Sequence, residues 1–94
     1  YAEQQGRYIL IHYLDCSCQK YAIRHGDFAP LLLAYPYFCD CIRGIVVNFE
    51  AVDSLMRDRF LLKDGTSIPI SRLKYEKVRE AFLSFFYSRT RGGL

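Results

Sequence analysis

Residues 41–75 read CIRGIVVNFEAVDSLMRDRFLLKDGTSIPISRLKY, and this stretch decides the fold. Ile45, Val46 and Val47 make a β-branched apolar run of the kind that forms a buried strand. Further on, residues 59–63 and 66–70 flank Asp64-Gly65, the dipeptide that best suits the positive φ angles of a two-residue type I′ turn, so a hairpin is expected there. Pro69 has no N–H to give to a ladder, which places its strand at an edge or turns its N–H side outward. Between these, residues 48–55 read as a turn or one helical turn with Phe49, Val52 and Leu55 inward. Arg43 and Arg72 stand towards the two ends of the stretch. Together the pattern describes a β scaffold that holds two basic loops in a fixed relation towards an anionic partner.

Working outward, Ser71 is a suitable N-cap for a final helix running to about Ser88. In it Tyr75, Val78, Phe82, Phe85 and Phe86 form one apolar stripe, with Lys74, Lys77, Arg79 and Glu80 largely off it. Residues 89–94 read as a frayed basic tail. Before the central stretch, residues 8–14 and 20–24 alternate as strands about an Asp15-Cys16-Ser17 turn. Asp27 is placed to cap a short helix over residues 28–34, with Pro30 in its first turn. Residues 38–47 form the central strand region, interrupted at Gly44.

Ninety-four residues suffice for one core, and the 51% apolar and 16% aromatic content is that of a folded domain. No apolar run is long enough to span a bilayer. Net charge is +3 but unevenly spread: residues 1–56 carry four Lys/Arg against six Asp/Glu, residues 57–94 nine against four. A basic half on a neutral core suits a surface that meets phosphates; a solvated helix face is the plain alternative. The cysteines come as Cys16-x-Cys18 and Cys39-x-Cys41, spacings shorter than structural zinc pairs use, so no metal is assigned and reduced, partly buried thiols are expected. His12 and His25 have no catalytic partner at a recognisable spacing; neither a catalytic residue nor a cofactor is assigned, and the chain is not read as an enzyme.

Three blocks in order carry a family resemblance: FCDCIRGIVVN at residues 38–48, LKDG at 62–65 and ISR at 70–72, preceded by a Tyr1-Ala2-Glu3 segment. Their types and spacing resemble the LytTR-type DNA-binding domain, the output domain of many bacterial response regulators, over nearly the whole chain. Asp40, Ile42 and Gly44 depart from the Arg, His and Ser common in that family.

The resemblance implies a mainly β fold, with small antiparallel sheets (three in the family) stacked in a row, one short helix and a C-terminal helix. It also implies a single domain over residues 1–94, a fragment lacking the family's first strand and an upstream receiver domain. Double-stranded DNA would be read through loops, in the cytoplasm, by two copies on repeated half-sites. Arg7 and Tyr8 would lie on the first contacting loop, Arg43 on the second, and Arg72, with Lys74 nearby, on the third, with Asn48 a further candidate contact, to adenine.

Each of these residues also has a plain structural role. Tyr8 suits a strand, Arg43 an ion pair with Asp40, Asn48 a turn cap and Arg72 a solvated first turn. Lys63, Lys77, Arg89 and Arg91 suit phosphates or a solvated face. An alternative is a protein–protein module whose loops, made acidic by Asp40, dock a regulatory partner.

Overall fold

The computed structural model describes residues 1–92, with side chains through Ser88. Eight strands form two antiparallel sheets: β1 (Ala2–Gln5), β2 (Tyr8–His12), β3 (Cys18–Tyr21), β4 (Phe38–Ile42), β5 (Ile45–Asn48), β6 (Val52–Leu55), β7 (Arg59–Leu62) and β8 (Ser67–Pro69). The first sheet has the order β3-β2-β1-β5-β4 and the second β6-β7-β8. Helix α1 (His25–Leu33) joins β3 to β4, and α2 (Tyr75–Gly92) closes the fold.

The mainly β class with a short and a C-terminal helix is as expected. Among the described residues, however, there are two sheets where the resemblance implied three. β1 explains the difference: it pairs with β2 through Ala2↔Ile11 to Gln5↔Tyr8 and with β5 through Ala2↔Val46 and Glu3↔Ile45. One short strand thereby joins two hairpins into a single sheet.

Val46 and Val47 are consecutive, point to opposite faces, and are both buried, so both sides of β5 are covered. Val47 faces a core of Cys39, Cys41, Phe49, Phe60, Leu62, Ile68 and Val78 drawn from both sheets and α2. Val46 lies on the other face with Ala2, its cross-strand partner, and α1, whose Ala29 is buried, packs near β4 and β5. Phe60 meets Phe49 edge-on at 5.9 Å and Phe82 at 5.4 Å, which locks the second sheet to the helix through rings.

Local chemistry revised several boundaries. Residues 38–47 are a hairpin turned at Arg43-Gly44, since Gly44 has φ +82° and Ile42 pairs with Ile45. The β7–β8 loop has three residues, not two: Leu62 accepts from the Gly65 N–H at 3.0 Å, and only Gly65 takes a positive φ, +91°. That is a type I turn followed by a left-handed glycine. Asp64 stays at negative φ with its carboxylate accepting the Thr66 N–H at 2.9 Å, and that hydrogen bond holds the carboxyl below its usual pKa.

Residues 52–55, read as part of a turn, are strand β6 after a 3-10 turn at Phe49–Ala51. Phe49 and Val52 are buried as expected. Helix α1 starts earlier, at His25; Asp27 lies in its first turn, ion-paired to Arg24 at 3.2 Å, and Pro30 falls inside the helix. The Ser71 side chain makes no cap hydrogen bond, and a 3-10 turn at Arg72–Lys74 stands between it and α2. Phe86, placed on the apolar stripe, is exposed. Pro69 does sit on the edge strand β8. The backbone of α2 continues to Gly92 where a tail was expected; the side chains of Arg89 and Arg91 lie outside the described residues.

Candidate nucleic-acid interface

Four short turns meet at one end of the molecule, and each carries an exposed arginine. The β1–β2 turn is Gly6-Arg7, closed by the Gln5↔Tyr8 pair, with Gly6 supplying the positive φ of +59° that a two-residue hairpin loop needs. The β4–β5 turn is Arg43-Gly44. Because β1 and β5 are neighbours and antiparallel, the end of β1 lies beside the start of β5. The Gln4 N–H donates to the Gly44 carbonyl at 2.8 Å, so the Arg7 and Arg43 tips are adjacent.

The Ser71 N–H donates to the Cys41 carbonyl at 2.8 Å and fastens the Arg72 turn to β4, two residues before Arg43. The Ile70 N–H donates to the Asp58 carbonyl at 2.9 Å, drawing in the Arg57-Asp58 tip of the β6–β7 hairpin. Arg57 and Arg72 line one cleft of about 690 Å³ with Asp58, Ile70, Tyr75 and Glu76. Every one of these ties is a backbone hydrogen bond between elements of the fold, so the spacing of the tips is set by the scaffold.

Ion pairing sorts the charges. Arg59 is taken by Asp58 at 2.9 Å, and the same hydrogen bond lowers the Asp58 pKa. Lys74 donates to the Asp40 carboxylate at 3.2 Å and to its carbonyl at 3.3 Å, so Asp40 pairs with Lys74 where an Arg43 pair was weighed. Among the described residues Arg7, Arg43, Arg57 and Arg72 on the turns are exposed and in no ion pair, as are Lys20, Lys63, Lys77 and Arg79 elsewhere.

Of the residues expected from sequence, Arg7, Arg43 and Arg72 are therefore brought together, with Lys74 beside them but neutralised. Tyr8 follows Arg7 on β2, exposed, with the Lys20 ammonium 4.2 Å over its ring. Asn48 is not part of the group. It lies at the far end of β5, roughly 10 Å along the strand from Ile45, the residue that follows the Arg43-Gly44 turn, and its side-chain oxygen caps the 3-10 turn by accepting the Glu50 N–H at 2.9 Å. Lys63 sits on the β7–β8 loop, at the opposite end of β7 from Arg59.

Arg57 is absent from the candidates that the sequence offers because β6 is absent from its expected strands. Once residues 52–55 are a strand, the polar run Arg57-Asp58-Arg59 between two apolar segments is a hairpin tip, and that polar break was the available signal.

The cysteines form no common site. Cys16 and Cys18 are exposed near the edge strand β3, while Cys39 and Cys41 are buried on β4, the opposite edge. Burial raises the thiol pKa of Cys39 to about 11 and that of Cys41 to about 12. Among the described residues no cluster of three or more His, Cys, Asp or Glu could hold a metal ion. His12 does have a carboxylate partner, contrary to the sequence reading: Glu3 lies 2.8 Å away across the β1–β2 pairing, a proximity that nine residues of separation hid. No described helix is long and apolar enough to cross a membrane. No family model, no curated protein and no solved structure matches the chain.

Proposed function

We propose that the chain is a LytTR-like DNA-binding domain that reads double-stranded DNA through its arginine-bearing turns, as the output domain of a bacterial transcriptional regulator. What carries this is the convergence of the Arg7, Arg43 and Arg72 turns, tied together by the Gln4–Gly44 and Ser71–Cys41 backbone hydrogen bonds. Arginine forks onto guanine O6 and N7 in the major groove, and the remaining cations neutralise phosphates. Side chains on strand-fixed turns can enter successive parts of a groove with little ordering cost, since their separation is already set.

Two copies would bind repeated half-sites, under an upstream receiver domain and in the cytoplasm. Asp40 bears on the rival docking module, which called for an acidic second loop. It lies within β4 and its charge is answered by Lys74, so no acidic tip favours that reading.

The test is enrichment of duplexes from a random pool, followed by fluorescence anisotropy against salt. Specific binding should weaken steeply with salt, each neutralised phosphate adding about 0.9 to the log–log slope. Arg72→Ala should cost roughly 1–3 kcal/mol on the enriched sequence and little on random DNA. Equal affinity of wild type and Arg72→Ala for the enriched duplex would refute the assignment of that turn.

A further inference from the structure

Leu73 is 98% exposed, whereas no other exposed large apolar side chain among the described residues exceeds 63%. Those others lean on the surface; Leu73 touches almost nothing. A single exposed leucine is ordinary on a protein surface. This one stands in a turn that is tied to β4, directly between Arg72 and Lys74. The Ser71 N–H is bound to the Cys41 carbonyl at 2.8 Å, the Lys74 N–H to the Ser71 carbonyl at 3.0 Å, and the Lys74 ammonium to Asp40. Folding gains nothing from holding an isobutyl group out there. The turn also presents it at the end of the molecule that carries the Arg7, Arg43 and Arg57 tips.

We propose that Leu73 is a specificity-determining residue that packs on the C5-methyl group of a thymine in the major groove, one base pair from the guanine read by Arg72. This rests on the DNA-binding reading above. In the 3-10 turn Arg72–Lys74 successive side chains diverge by about 120°; with Lys74 turned onto Asp40, the exposed Arg72 and Leu73 are the two left to address nearby base pairs. The thymine methyl is the apolar feature of the major groove, and leucine supplies the matching apolar surface. Lys74, next in the chain, is turned back onto Asp40 and so leaves the base edge beside Leu73 clear.

The experiment starts from the duplex enriched by the wild-type chain, with each thymine replaced in turn by deoxyuridine, which lacks only the methyl group. Wild type should lose about fourfold in affinity at one thymine adjacent to the guanine whose substitution is masked by Arg72→Ala, the effect of burying one methyl group. Leu73→Ala should bind the parent duplex about fourfold or more weakly and show no loss at that deoxyuridine, while Leu73→Met should retain part of it. Because Leu73 packs on nothing, both variants should keep the wild-type circular dichroism and melting temperature. If deoxyuridine costs Leu73→Ala as much as wild type, or if no thymine methyl matters to wild type, the contact does not exist. A Leu73→Ala variant that binds more weakly while the wild type itself is insensitive to every deoxyuridine would also overturn it, pointing to a wedge between base steps. Failure of the wild-type chain to enrich any duplex would instead refute the DNA-binding proposal itself, before any variant is made.

Discussion

Arg43 and Arg72 stood out in the sequence as charges next to apolar segments, and the structure places both on exposed turns free of carboxylate partners. Asp40 is the informative neighbour. Its carboxylate holds Lys74, so Asp40→Asn should release an ammonium to the duplex, raising affinity a few-fold and steepening the salt slope by about 0.9. An unchanged slope in anisotropy titrations would mean that Lys74 never reaches a phosphate. Asn48 is the counter-case: Asn48→Ala should lower stability by roughly 1 kcal/mol through loss of its cap and leave DNA affinity as it was, as read by denaturant melts and anisotropy together. Its residue type was legible, but its place was not, since only strand length separates the two ends of β5. The buried thiols make a separate test. Cys39 and Cys41 have pKa values raised above the ordinary thiol value in the folded state only, so the unfolded chain loses those protons first as pH rises. Stability should therefore be undiminished below about pH 8.5 and fall as pH climbs towards 11–12. At pH 8, alkylation of the native protein should stop at Cys16 and Cys18, with all four thiols reacting after unfolding.

At the level of elements, glycine positions control where the tips point. Gly44 has φ +82° with only ordinary contacts around it, 3.7 Å to the Gln4 side chain. Gly44→Ala should thus cost roughly 1–2 kcal/mol from backbone conformation alone and also misdirect Arg43, lowering DNA affinity beyond the loss of stability. Gly65, at φ +91° with open space where a Cβ would stand, should show a similar loss of stability with no loss of binding, because its loop is at the other end of β7. Thermal melts and anisotropy on the two variants separate the effects. The Asp64-Gly65 hairpin was legible because few other dipeptides tolerate such a turn. Its exact type was not, because the Asp64 carboxylate binds the Thr66 N–H and keeps Asp64 at negative φ. β6 was missed for a related reason: Val52-Asp53-Ser54-Leu55 has weak strand character, and its pairing with β7 decides the outcome.

For the molecule as a whole, the aromatic core that joins α2 to the second sheet holds the turn cluster in register with the first sheet. Phe60→Ala should cost roughly 3–5 kcal/mol and lower the melting temperature steeply, since the ring is fully buried against Phe49 and Phe82. The β class and the burial of residues 45–47 could be read in advance from residue types. The joining of two hairpins through β1 could not, because a four-residue strand reading Ala-Glu-Gln-Gln declares neither partner. That joining is what sets Arg7 beside Arg43, and the Ser71–Cys41 hydrogen bond adds Arg72. The most direct test is a titration of isotope-labelled protein with an enriched duplex, followed by amide chemical-shift perturbation. Perturbations should gather on Gly6-Arg7, Arg43-Gly44, Arg57-Asp58 and Ser71–Lys74, leaving Asn48 and Lys63–Gly65 unmoved. Perturbations centred on α1 or on the β7–β8 loop, with the four turns silent, would contradict it.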